Sequence, residues 1–382
     1  MLNIWEKEAC RLNYKIITMK RVYSIDAFRG FDMLFLVGIS SVIASICILF
    51  PGGSESWLYQ QMDHVSWDGF HIYDTLFPTF LFISGLSWPF SYASQISKGI
   101  KRNNIYLKIA KRLIILFLLG LVYNGILKNW NIAEIRFYSV LARIGFCWAV
   151  SCILYMHFGR KTRETIAVAI LIGYYLLLKY VPVPGAEGQD PFSLEGNLVG
   201  YIDRCIRYNS AYHEFFDPEG LLSNLPAIVT AMLGVFTGEL LRDDNYSQKS
   251  KLFRMIITAA VMIVIGLIWC RWFPINKALW SSTFVLVAGG LALVLFGIFY
   301  LIIDVLGYRK WAFPFKVVGM NSITIYIAME IIPFGIITNN IFGGFSNLCP
   351  SLWQPLIYSI GYTLICWLFL FLLYKKSIFL KV

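Results

Sequence analysis

The sequence predicts an all-α polytopic membrane protein, a bundle of about ten transmembrane helices with both termini in the cytoplasm. Three observations predict it. Of 382 residues, 58% are hydrophobic and 14% charged, against about 25% charged in soluble domains, so a water-soluble enzyme is excluded. Apolar runs long enough to cross about 30 Å of hydrocarbon recur from Ile25 to Tyr374. Lys and Arg also alternate between sides. Assigned to the nearest tail or loop, 24 fall on the side of the N-terminus and 7 on the other, which by the positive-inside rule puts both termini inside.

Ten runs follow in order: 25–50, 72–97, 105–124, 137–157, 164–180, 223–241, 252–273, 280–303, 317–340 and 352–374. They form one transmembrane domain, 25–374, between an N-terminal tail, 1–24, and a C-terminal tail, 375–382. The first run opens with Asp26, Arg29 and Asp32 at three-residue spacing, which sets the three charges near one helix face at the inner end. Between the first and second runs lies His64-Val-Ser-Trp67-Asp68-Gly-Phe-His71-Ile-Tyr-Asp74, a stretch without Lys or Arg. Pro78 follows and is expected to kink the second run.

The third run carries Lys108, Lys111 and Arg112 in its inner half, the fourth carries Arg143, and the fifth ends at Lys179, placed to snorkel to the interface. A long outer loop, 181–222, precedes the sixth run and ends on Asp217-Pro-Glu219-Gly. Loops of this length in compact proteins tend to be functional. Asn276-Lys277 introduces the eighth run, and the ninth holds Asn321 and Glu330.

A surplus of 33 Lys+Arg over 22 Asp+Glu raises the question of nucleic acid, but its alternating placement reads as membrane topology, with no nucleic acid partner. The eight cysteines, 10, 47, 147, 152, 205, 270, 349 and 366, lie mostly in apolar runs and show no metal-ligand spacing. No metal site and no cleaved signal peptide are expected.

Histidine titrates near neutrality and a neighbouring carboxylate fixes its tautomer, so His64, Asp68 and Asp74 are candidates for proton transfer. The alternative is that His64 and His71 are interfacial residues beside an aromatic belt. Asp74 requires a partner, whether a histidine, Arg136 or Arg143. Arg29 and the inner basic cluster suit an anionic cofactor, or equally lipid phosphates. Arg143 and Glu330 are functional candidates or an ion pair; Asn321 is one of these or helix-packing glue.

Taken together, these residues resemble the heparan-alpha-glucosaminide N-acetyltransferase family, in the form of a bacterial transmembrane relative. The shared patterns are Ser24-Ile-Asp26-Ala-Phe-Arg29-Gly30, His64-x-Ser66-Trp67-x-Gly69, Asp74-x-x-Phe77-Pro78-x-Phe80-x-Phe82-Ile83-x-Gly85, Val140-Leu-x-Arg143, Asp217-Pro-Glu219-Gly-Leu-Leu, Ile275-Asn276-Lys277-x-Leu-Trp280 and Gly319-Met-Asn321-Ser322. Together they run nearly the length of the chain.

The resemblance implies transfer of an acetyl group from cytoplasmic acetyl-CoA to the amine of a glucosamine-type sugar or glycan at the outer face, with His64 as general base or transient acetyl carrier. Asp68 and Asp74 would support His64. Trp67, Asn276 and Lys277 would bind the reacting groups, with Ser40, Asp217 and Glu219 in the acceptor site. Arg29, Arg112, Arg143 and Asn321 would hold acetyl-CoA. Ser40 stands where the family has an asparagine, and Asp68 adds a carboxylate after the tryptophan. The resemblance also implies a homodimer in contact with membrane lipid, in a bacterial inner membrane with the His64 loop on the periplasmic side. Two other readings fit the residues: an O-acyltransferase of envelope glycans and an amino-sugar transporter.

Overall fold

The computed structural model describes residues 22–126, 135–206 and 215–380, and every regular element among them is helical. Helix α1, Tyr23–Ile48, follows the first predicted run and contains one wide π-helical turn at Phe35–Ile39. Turns of this kind interrupt the regular ladder and are frequent at functional sites. The second run is two helices, α2 at Leu76–Leu86 and α3 at Trp88–Ser97. Pro78 falls in the first turn of α2, where its missing N–H has no intrahelical partner to lose. The interruption comes instead at Ser87, ahead of Pro89.

There follow α4 at Arg102–Tyr123, α5 at Val140–His157, α6 at Arg160–Tyr180, a short α7 at Leu198–Ile206 within the long loop, α8 at Asn224–Arg242 and α9 at Gln248–Trp269. Helix α10, Ser282–Val305, closes on a second π turn. The ninth run is broken into α11 at Phe313–Gly319, α12 at Ser322–Ile331 and α13 at Phe334–Asn347, and the chain ends on α14 at Gln354–Lys375.

Among the described residues six helices are long and apolar enough to cross a membrane, or seven if the pair Lys310–Gly319 and Ser322–Ile331, bent by 57°, counts as one. This falls short of the ten runs read from hydropathy, for local reasons. Helices α2 and α3 are each too short once separated. Charged residues interrupt α4 at Lys108, Lys111 and Arg112, and α6 at Arg163, Glu164 and Lys179. The ninth run breaks at Asn321 and again at Pro333. The architecture is a multi-pass membrane bundle. Only 22% of the spanning windows of α9 and of Ser351–Lys375 is buried within the protein, so these apolar helices turn most of their surface to lipid.

The crossing of α2 and α8 is close enough to bring backbone against backbone at two points. A Cβ on Gly85 of α2 would lie 1.9 Å from the Ala231 carbonyl oxygen, and one on Gly234 of α8 would lie 1.9 Å from that of Phe82. Such contact suits a bilayer, where small residues permit dispersion contact between helices that hydrophobicity does not drive together. The central core joins Phe28 of α1, Phe82 of α2, Met255 of α9 and Phe296 of α10. Asp304 in the closing turn of α10 accepts from the backbone N–H of Tyr23 (3.3 Å) and Ser24 (3.0 Å), satisfying donors at the start of α1. At the opposite end of the bundle the loops before α2, α8 and α10 meet, tied by Gly69 N–H to the Ile275 carbonyl at 2.9 Å and by the Trp67 indole N–H to the Phe192 carbonyl at 3.0 Å.

Candidate active site

At that loop-rich end a cavity of about 920 Å³ opens between α1, α2, α4, α5 and α12, lined by His64, Trp67, Tyr73, Asp74, Glu219 and Lys277 at its mouth and by Met33, Phe80 and Tyr326 farther in. Its walls coincide with the irregular backbone of the bundle: the π turn of α1, the start of α2 and the break before α12. Non-helical backbone is tolerated at membrane depth where it is buried in protein or lines a cavity.

His64 is half exposed, its side chain 49% accessible, while Asp74 is 2% accessible. Nδ1 of His64 lies 2.7 Å from Oδ1 of Asp74. A carboxylate accepts only, so Nδ1 carries the proton, and in the neutral ring Nε2 keeps its lone pair. The other oxygen, Oδ2 of Asp74, accepts from the backbone N–H of His71 at 3.1 Å. The partner of Asp74 is thus the histidine, from the three possibilities the sequence left open.

Lys277, 213 residues away along the chain, places Nζ 3.3 Å from Oδ1 of Asp74 and 3.0 and 3.3 Å from the two ring nitrogens of His64. Burial pulls the Lys277 ammonium below the ordinary amine range, and Asp74 offsets this only in part. Burial also pushes Asp74 upward, but the His64 hydrogen bond, the Lys277 charge and the His71 N–H together hold its carboxyl below the usual carboxylate range. Lys277 is presented by a turn that ends at Trp280, whose φ of 51° is left-handed and costs about 1–2 kcal/mol. Its surroundings hold it there: the ring meets Phe77 edge-on at 4.9 Å, the Arg143 guanidinium lies 4.9 Å away, and the indole N–H donates to Thr230 at 3.2 Å.

Several predicted residues are engaged elsewhere. The Trp67 indole N–H is given to Phe192, so Trp67 offers the cavity an apolar ring and no donor. Asn276 is fully buried, donating to Asp68 at 3.1 Å and accepting from Leu279 N–H at 2.8 Å. Asp68 therefore braces the Lys277 turn and is not the carboxylate paired with His64. Asp217 and Glu219 both bind Arg136, with Nε 2.8 Å from Asp217 Oδ2, and of the two carboxylates Glu219 lines the cavity. Although burial disfavours charge on Arg136, the Asp217 hydrogen bond and both carboxylates hold it firmly protonated.

Arg143 enters near the start of α5, at the His64 end, and donates to the Gly220 carbonyl (3.1 Å) and to Ser223. That location separates it from Arg29 and Arg112. These two lie within Coulombic reach of each other, and Arg112, halfway along α4, stacks on Trp148, halfway along α5, at 4.2 Å. Nε of Arg112 and the indole nitrogens of Trp148 and Trp88, whose rings meet edge-on at 5.6 Å, are buried donors with no acceptor among the described residues. Asn321 uses its amide on the C-terminal tail, donating to the Ile378 carbonyl at 3.0 Å and accepting from Leu380 N–H at 3.4 Å. Its place is the break between α11 and α12.

Sequence reasoning passed over Tyr73, whose ring lies 4.7 Å from that of His64 and whose hydroxyl lies near Ser40. Its position next to Asp74 was the available signal. Asp203 was also missed. Its carboxylate accepts from Leu221 N–H at 3.1 Å and Asp217 N–H at 3.4 Å, bracketing the turn that carries Glu219.

Heparan-alpha-glucosaminide N-acetyltransferase from Homo sapiens is 26% identical to the chain over 425 aligned positions, which take in 95% of the chain and 60% of the human protein. The chain is a distant relative of these N-acetyltransferases. The protein of the same name from Mus musculus gives the same identity and the same coverage, so the chain spans about three-fifths of the length of the curated relatives it matches. A family model described as "Domain of unknown function (DUF5009)" matches residues 21–202, which include the His64 loop.

Proposed function

We propose that the chain is a transmembrane N-acetyltransferase that moves an acetyl group from acetyl-CoA to the amine of a glucosamine-type acceptor, with His64 as general base. The observation that carries this reading is the His64–Asp74 pair at the mouth of a cavity large enough for a sugar and a thioester, in a chain related to N-acetyltransferases. An amine attacks a thioester only when unprotonated. Nε2 of His64 takes the proton, Asp74 stabilises the imidazolium that forms, and Lys277 supplies positive charge beside the reacting centre. Glu219, facing the cavity from its Arg136 pair, orients the acceptor.

The nucleotide of acetyl-CoA is assigned to the region around Arg112, Trp148 and Trp88, apart from the His64 cavity. Arg112 and the two indoles offer unmet donors, and Arg29 adds a second cation, which is the chemistry that phosphates require. None of these residues lines the His64 cavity, so a thioester that reaches both regions must pass between helices. The full reading has both termini and the nucleotide in the cytoplasm of a bacterial cell, ten crossings that include the short and charged helices, and His64 in the periplasm.

The test is release of CoA from acetyl-CoA by the purified protein in detergent, with and without glucosamine. Release should depend on the amine and fall about 10²- to 10⁴-fold in His64→Ala. Turnover on N-acetylglucosamine, whose amine is blocked, would favour hydroxyl acylation instead. Uptake of labelled glucosamine into vesicles without acetyl-CoA would favour transport.

A further inference from the structure

Acetyl transfer gathers negative charge on the thioester carbonyl oxygen, and a donor aimed at that atom is worth more than any contact to the ground state. Two donors that the sequence nominates beside His64 are committed: the Trp67 indole to Phe192 and the Asn276 amide to Asp68. Lys277 faces Asp74 and the imidazole. Tyr123 and Tyr326 stack on one another, 4.5 Å between centroids and 15° from parallel. Ser66 lines the cavity but is exposed, so water competes for its hydroxyl.

Tyr73 differs from all of these. It lines the cavity, its ring rests 4.7 Å from His64, and it shares the turn Ile72–Thr75 with Asp74, so the backbone that holds the base also holds the phenol. Its oxygen lies near Ser40, the residue directly after the π turn of α1, whose hydroxyl can donate to it and leave the phenolic O–H to point into the cavity.

Resting on the acetyl-transfer reading, we propose that Tyr73 is a further catalytic residue that donates a hydrogen bond to the acetyl carbonyl oxygen in the transition state, and that Ser40 is the positioning residue that aims it. In this step the amine lone pair forms the C–N bond and the carbonyl π pair moves to oxygen, where the phenolic O–H holds it without giving up its proton. Collapse returns that pair and breaks the C–S bond. Sulfur leaves with the bonding pair and takes the proton that His64 removed from the amine, so the products are an amide and a free thiol.

Tyr73→Phe keeps the ring and its contact with His64 and removes only the donor. Measured with acetyl-CoA and glucosamine on the purified full chain, it should lower kcat on the order of 100-fold while KM for acetyl-CoA stays within about twofold of the parent. Ser40→Ala should lower kcat by a smaller factor, on the order of tenfold, with KM again unchanged. Parental kcat in Tyr73→Phe, with His64→Ala inactive, overturns the role of Tyr73 and leaves the transfer reading intact. If Tyr73→Phe does not fold, parental kcat in Ser40→Ala overturns the proposal alone. A parent protein that releases no CoA on adding amine overturns both readings together.

Discussion

Asp74 shows how one buried carboxylate organises the residues around it. At 2% exposure it can stay charged only among donors, and it gathers three from separate sources: the imidazole of His64, the ammonium of Lys277 and a backbone N–H. Asp203 shows the opposite balance. Burial pushes its carboxyl up to about 6, because its two backbone donors and the charge of Arg143 do not offset the lost solvation. The sign follows from linkage: a carboxyl whose pKa is higher folded than unfolded contributes most when protonated in both states, below about pH 4, and that contribution is lost as pH rises through 6. Asp203→Asn escapes this loss. The thermal midpoint of the parent should therefore fall relative to that of Asp203→Asn between pH 5 and pH 7, by the equivalent of roughly 1 kcal/mol. A constant gap between the two proteins over that range would show that Asp203 does not titrate there. At this scale His64 and Asp74 were legible because ten residues of one loop and turn separate them. The hydrogen bond between Asp68 and Asn276 was not legible, because it joins segments 208 residues apart.

Helices in this protein are specified by apolar runs but shaped by their interruptions. Hydropathy averaged over a run cannot show that residues 72–97 divide at Ser87, or that the ninth run breaks at Asn321 and Pro333. At the first break of the ninth run the Asn321 side-chain amide is held by the backbone of the tail, at Ile378 and Leu380. The α2–α8 crossing provides a direct test. Gly234→Ala places a methyl 1.9 Å from the Phe82 carbonyl oxygen, and neither helix backbone can yield without moving the turn that carries Asp74. Overpacking of this kind should cost about 1–3 kcal/mol, read as a lowered thermal midpoint in detergent, and should lower turnover as well. Gly173, whose Cβ would meet open space on the outer face of α6, is the control, and Gly173→Ala should leave both unchanged. A Gly234→Ala protein with the parental midpoint would mean that the two helices separate more readily than their contacts indicate.

For the molecule as a whole, charge asymmetry makes a claim about sidedness that chemistry can check. Cys205 is exposed in the loop at the His64 end, whereas Cys10 lies in the tail outside the described residues. A chain retaining only Cys205 should react with a membrane-impermeant maleimide on intact cells, and one retaining only Cys10 should react only after permeabilisation. The reverse pattern would invert the topology and put His64 on the cytoplasmic side. The sequence by itself determined the helical class, the membrane environment, the relationship to the N-acetyltransferases and the His64–Asp74 neighbourhood. All of these are written in composition, in motif order and in short-range spacing, which survive without knowledge of the fold. The tertiary structure decided which polar groups remain available. It joined Lys277 to His64, gave Glu219 to the cavity through Arg136, moved Arg143 away from Arg29, bound Asn321 to the tail and set Tyr73 against the imidazole. Each of these rests on a hydrogen bond or ring contact between residues brought together by packing, or on a competition for one donor among several acceptors, and neither is encoded in the spacing of residues along one chain.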